Sequence, residues 1–209
     1  MATLHMRIYN LDWTPSPEAH AAMVDEASSG LRPHKQVKNF VIGKDLPEEV
    51  FAQAIFEMSG SEDAVPAGAI DQVNKTFFDA LGGPMSSKTI ETATSPFAAG
   101  GAATAPIVEY VQVWFPSSRL TPEFRASIEA DFARFDDIFK RGSDGDGGLN
   151  VGWSVNDQDH EGVEGGKARC FFVMRGWESM EHFGRSVQSD AAKEALPIVT
   201  GWNAPYEMV

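Results

Sequence analysis

The stretch FFVMRGWESMEHF, residues 171–183, changes its hydrophobic period in mid-run. Phe171, Phe172, Val173 and Met174 form the continuous apolar run of a buried strand, whereas Met180, Phe183 and Val187 recur at the three- and four-residue steps of a helix face. Gly176 and Trp177 stand at the corner between them. A strand that turns at once into a helix is a joint of an α+β fold, and the elements on either side of it follow a repeated order.

Toward the N-terminus, LNVGWSV (149–155) and ARCFFVM (168–174) read as strands joined by the polar NDQDHEGVEGG. Before them lies TPEFRASIEADFARFDDIFKRG, a helix with Thr121 as N-cap, Pro122 in its first turn and Gly142 at its end. Phe124, Ile128, Phe132, Phe135 and Phe139 make one apolar stripe along it. IVEYVQVWF (107–115) is the strand that opens this half, and after the corner a helix over 179–196 ends before Pro197 and leads to a short strand, NAPYEMV. The first half reads the same way: strand LHMRIYNLDW, helix SPEAHAAMVDEASSGL, strands VKNFVIG and VFAQAIFEM, helix AIDQVNKTFFDALGG and strand SKTIETAT.

Strand–helix–strand–strand–helix–strand is the ferredoxin-like split βαβ plan, an antiparallel sheet with both helices on one face. We therefore expect an α+β chain of two ferredoxin-like halves, 1–94 and 107–209, joined by the Ala/Gly-rich segment 95–106. Neither face of the opening strands is the charged, wet surface of a half-exposed sheet: Leu4, Met6 and Ile8 alternate with His5, Arg7 and Tyr9, and Val111, Val113 and Phe115 alternate with Tyr110, Gln112 and Trp114. The expectation is two sheets covering each other as a fused dimeric α+β barrel; the same order also allows two independent domains in a row.

The formal charge of −13 is spread evenly, with 7 basic against 13 acidic residues in 1–104 and 10 against 17 in the remainder. No basic stripe is present to neutralise phosphates, which argues against nucleic acid or an anionic membrane as a partner. Cys170 is the single cysteine, so no intramolecular disulfide forms and no cysteine-based metal site is expected. The N-terminus lacks the pattern of a secretory signal and no apolar run has the length of a membrane span, so a cytoplasmic protein is expected. GSDGDGGLN lacks the calcium-loop pattern, and no phosphate loop or nucleophile elbow is found.

The corner CFFVMRGWESMEHF (170–183), with the glycine-containing strand LNVGWSV before it, resembles the dimeric α+β barrel proteins. That group includes the antibiotic-biosynthesis monooxygenase domains and the stress-responsive barrel domains. The likeness is strongest in the second half; in the first, IFEMSGSED (55–63) replaces the Trp-Glu-Ser corner. The resemblance implies a cavity for small, often aromatic or polyketide-like molecules, worked without metal or flavin in many members and with haem in others. The tyrosine and histidine that plant polyketide cyclases of this fold carry on the second helix fall on Ser186 and Ala192, so that pair is missing; their first-strand histidine has a counterpart in His5.

For chemistry, His5, Arg7 and Tyr9 place a base, a cation and a phenol on one strand, a set suited to polarising an enolisable carbonyl or a phenolate. His182, one turn from Trp177, is the second candidate base. His20, His34 and His160 fall on an amphipathic helix and in loops, where exposure or mobility is expected. Tyr110, Trp114, Trp153, Phe171, Arg175 and Trp177 are the candidate substrate-binding residues, aromatic walls with a few polar groups. The expected ligand is a small apolar or aromatic metabolite, taken without cofactor or metal and converted by cyclisation, isomerisation or dehydration. Cofactor-free monooxygenation and ligand binding without turnover are the alternatives, and homodimerisation is left open.

Overall fold

In the computed structural model, which describes residues 2–10, 17–31, 35, 37–44, 51–58, 75 and 84–208, the chain divides into two units, Met1–Ser95 and Pro96–Val209. In the first unit, β1 (Ala2–Asn10) leads into helix α1 (Pro17–Leu31), the antiparallel strands β2 (Val37–Lys44) and β3 (Phe51–Met58), and β4 (Pro84–Thr92). The sheet order is β2-β3-β1-β4, all antiparallel. The expected second helix, 69–83, lies outside the described residues apart from the helical Lys75.

The second unit has β5 (Ile107–Pro116), α2 (Pro122–Phe139), β6 (Asp146–Ser154), the two-residue β7 (Gln158–Asp159), β8 (Lys167–Trp177), α3 (Met180–Gln188), α4 (Asp190–Thr200) and β9 (Tyr206–Met208). Its order is β6-β8-β5-β9, with β7 on β8, again antiparallel. In both units the first and third long strands lie at the centre, which is the ferredoxin-like arrangement. Thr121 caps α2 as its sequence predicts, its Oγ1 accepting from the Phe124 amide at 3.2 Å. The phenylalanine stripe then lays Ile128 and Phe132 against Val113, Phe115, Trp153, Phe171 and Val173 of the sheet. Each such large apolar side chain contributes on the order of 2 kcal/mol through removal from water.

Two expectations at the C-terminal end need correction. The helix expected over 179–196 is two helices, because Ser189 turns out of helical geometry (φ −63°, ψ 158°) and caps α4 by accepting from the Ala192 amide at 3.0 Å. Pro197 does not end α4, which runs on to Thr200. The proline ring is exposed, so the carbonyl it leaves without a helical donor, that of exposed Lys193, faces water rather than a dry core.

The Ala/Gly segment is ordered. Ala102–Thr104 form a 3₁₀ turn, the Ala103 amide bonds the Pro96 carbonyl at 3.0 Å, and the Ala102 amide bonds Asn150 Oδ1 at 3.1 Å. Its small residues permit backbone contact. A Cβ on Gly148, whose φ is +114°, would stand 2.1 Å from the Gly100 carbonyl oxygen, and one on Gly176 would stand 2.6 Å from Ala105 Cβ. The composition that reads as linker is here a packing requirement on β6 and β8.

Candidate functional site

β8 sorts the candidate residues by the parity of its strand positions. Phe171, Val173, Arg175 and Trp177 share the face carrying α2 and α4; Cys170, Phe172 and Met174 share the other. All seven are buried.

On the helix face the indoles are committed to structure. Trp177 Nε1 donates to Glu109 Oε2 at 3.1 Å, Trp153 Nε1 to Glu129 Oε1 at 2.8 Å, and Trp202 Nε1 to Asp131 Oδ2 at 3.2 Å. Trp153 and Phe171 stack within the core with centroids 5.1 Å apart. Arg175, 3% exposed, bridges Asp136 on α2 and Asp146 on β6, the latter at 2.8 Å, and lies over the rings of Phe139 and Trp177. Burial pushes the Glu109 carboxyl above its ordinary range, opposed by the Trp177 hydrogen bond and by the Arg175 charge. Trp153, Phe171, Arg175 and Trp177 thus join helix to sheet.

His182 lies at the start of α3. Its Nδ1 is 2.9 Å from Ser179 Oγ and its Nε2 is 3.5 Å from Glu178 Oε2. The three form a serine–histidine–carboxylate row, but Ser179 Oγ also accepts from the His182 amide as the helix cap, and Glu178 is largely exposed. The imidazole packs on Gly145, where a Cβ would stand 2.5 Å from His182 Cγ and where φ is +70°. His182 here clamps the loop before β6 to α3.

Tyr110 and Trp114 lie on the opposite face, in the rows Tyr110–Met174–Asn150 and Trp114–Cys170, with Gln112–Phe172 between them. This face is as dry as the core: Tyr110 is 8% exposed, Trp114 2% and Phe172 0%. Tyr110 and Phe172 stack at 5.9 Å. Burial drives the Tyr110 phenol far above its ordinary range, so it is a proton carrier and hydrogen-bond donor and does not serve as a base at neutral pH. Few polar groups, Gln112, Asn150 and Ser154, are set among these rings.

The structure adds two residues that the sequence pattern missed. His160, expected in a mobile loop, lies against Trp114 with centroids 4.8 Å apart, its Nδ1 accepting from the Gly162 amide at 3.2 Å. Glu207 of β9 reaches both Gln112 Nε2, at 3.4 Å, and His160 Nε2, at 3.9 Å. The signal available was only that Gln112 shares an alternation with Tyr110 and Trp114; nothing local in NDQDHEGVEGG points back across the sheet. In the first unit, register sets His5 opposite Phe56 and Arg7 opposite Ala54, while the side chains of His5, Arg7 and Tyr9 lie outside the described part of the structure. Among the described residues no three His, Cys, Asp or Glu side chains gather as a metal site requires.

Comparison with known proteins defines the class by fold. No protein-family model and no curated protein matches the sequence. Among solved structures, an anthrone oxidase-like protein superposes with a TM-score of 0.59 at 12% identity, over 99% of this chain and 89% of that one. A protein provisionally named a chlorite dismutase gives 0.56 at 10% identity, over 99% and 92%. One provisionally named a monooxygenase, from Fusobacterium nucleatum subsp. nucleatum, gives 0.55 at 8% identity, over 99% and 89%. The chain shares with these structures a ferredoxin-like α+β fold. Names this different on one fold leave activity to be argued from the site.

Proposed function

We propose that this protein takes an apolar aromatic or polyketide-like metabolite and converts it by cofactor-independent carbanion chemistry, with oxygenation as the leading reaction. The observation that carries the reading is the dry face of Tyr110, Trp114 and Phe172, with only a few polar groups among its rings. The Tyr110 phenol, which burial holds in its protonated form, is the proposed hydrogen-bond donor to oxygen; His5, with Arg7 and Tyr9 at alternate positions of β1, is a separate candidate base cluster of the first unit. Removing one proton from an activated CH2 gives a carbanion; transfer of its electrons to O2 forms a C–O bond, and loss of water leaves C=O. One O2 is consumed per carbonyl and one H2O released. The names of the anthrone oxidase-like and monooxygenase-named neighbours favour this over proton transfer alone.

Cyclisation, isomerisation or dehydration shares the first step and needs no oxygen. Oxygen uptake with 1,8-dihydroxyanthrone separates the readings: equimolar O2 consumption and quinone formation are expected, with Tyr110→Phe folded and slower in oxygen uptake. Conversion without oxygen uptake would select the proton-transfer reading. A ligand that binds and returns unchanged would leave a binding protein. We further propose that the two units are tandem copies of one plan.

A further inference from the structure

The hairpin between β7 and β8 closes on one imidazole. The His160 amide donates to the Gly166 carbonyl at 2.9 Å, its carbonyl accepts from the Val163 amide at 3.2 Å, and its Nδ1 accepts from the Gly162 amide at 3.2 Å. The Gly166 amide donates in turn to the Val163 carbonyl at 2.9 Å, and Val163 is buried beneath the turn. Two further elements meet the same ring. Trp114 of β5 packs against it, and Glu207 of β9 holds Oε1 3.9 Å from its Nε2. The hairpin tip also abuts the chain entering β9: a Cβ on Gly162 would stand 3.3 Å from Pro205 Cγ, and the Pro205 carbonyl accepts from the Trp114 amide at 2.9 Å. One side chain thus joins the turn, the central strand and the returning chain end.

A ring nitrogen that accepts from an amide carries no proton, so the Gly162 bond assigns the imidazole hydrogen to Nε2, on the side of Glu207. A second proton can go only to Nδ1. There it sets one N–H against another and ends the Gly162 bond, while the new charge is drawn to the Glu207 carboxylate. We propose that His160 is a proton-operated latch: neutral, it ties the 160–166 turn shut against Trp114; protonated, it releases that turn and pairs with β9 through Glu207. The other charges near the ring, among the described residues, lie on the hairpin itself. Asp159 and Lys167 stand 2.7 Å apart and offset each other, and Glu161 and Glu164 are exposed. β5 presents no charge to the ring; its Gln112 donates to Glu207 Oε2 at 3.4 Å and so fixes the carboxylate beside Nε2. The latch controls the cover on the Trp114 end of the aromatic face and does not depend on turnover.

Nuclear magnetic resonance of the 15N-labelled full chain tests it across the range in which imidazole changes charge, from about pH 8 to about pH 5. At the upper end a scalar coupling should join the Gly162 amide to His160 Nδ1. At the lower end that coupling should vanish, and protection of the Gly162, Val163 and Gly166 amides from hydrogen exchange, corrected for intrinsic rate, should fall about tenfold. His160→Asn sets an amide oxygen where Nδ1 stood, bonding the amide two residues on without titrating, and should keep the turn protected at both ends of the range. Glu207→Gln should keep the release but move it to lower pH, since no carboxylate then favours the charged ring. Coupling that persists at about pH 5, equal wild-type protection at both ends, or a release that survives His160→Asn would overturn the proposal. So would a release in Glu207→Gln at the wild-type pH, which would take β9 out of the latch. The wild-type spectra decide the matter even where a variant fails to fold.

Discussion

Glu109 shows how a buried carboxyl couples one strand to pH. Its Oε2 holds the Trp177 indole, yet burial outweighs that bond and the Arg175 charge, and its proton is held more tightly in the folded chain than in the unfolded one. The folded state then binds more protons than the unfolded state over the window that begins at the ordinary carboxyl value of 4.5 and runs upward. Stability falls as pH rises through that window, and the loss is complete above the folded value. Glu109→Gln keeps an acceptor for Trp177 and removes the titration. The variant should show a flatter profile of urea midpoint against pH above 4.5, and be no less stable than wild type at pH 7. A profile unchanged by the substitution would contradict this assignment. Arg175 is the opposite case: it is paired on two sides, and removal of Asp136 would leave a buried guanidinium short of one partner.

Among the elements, the segment 96–106 and the β6–β8 pair are packed backbone to backbone. Gly176 sits where a Cβ would meet Ala105 Cβ at 2.6 Å, the Gly147 oxygen at 2.9 Å and the Ala102 oxygen at 3.0 Å. Two of those atoms are backbone and cannot rotate away. Gly176→Ala should therefore destabilise by about 2 kcal/mol, the range for overpacking, read as a lower urea midpoint with an unchanged slope. A flexible spacer would give no change. The break between α3 and α4 follows from the same kind of local competition: Ser189 satisfies the α4 amides better as a cap than as an interior helical residue. The hydrophobic period passes through that break undisturbed, which is why sequence pattern alone joins the two helices.

For the whole molecule, the charge of −13 with no basic stripe sets the long-range field. A labelled DNA duplex should show no change in anisotropy with this protein at 0.1 M salt; salt-sensitive binding would reveal a basic surface that composition does not show. No helix among the described residues is long and apolar enough to cross a membrane. At this scale each unit keeps the ferredoxin-like strand order, and the dry mixed face of the second unit's sheet, rather than any recognisable motif, carries the functional argument.

The strands, the long helix and the Thr121 cap could be read from the chain because each depends on neighbours within a turn or two: alternation, a four-residue stripe, a hydroxyl three residues before an amide. Which face of β8 a residue takes is also local, but its consequence is not. Trp153, Phe171, Arg175 and Trp177 read like pocket walls until their partners, Glu109, Glu129 and Asp136, are placed beside them from 20 or more residues away. His160 and Glu207 reach Trp114 and Gln112 only through strand pairing and a returning chain end. Short-range periodicity determined the elements, whereas tertiary pairing alone decided which polar groups are dry, because desolvation depends on everything that surrounds a group and not on its place in the chain.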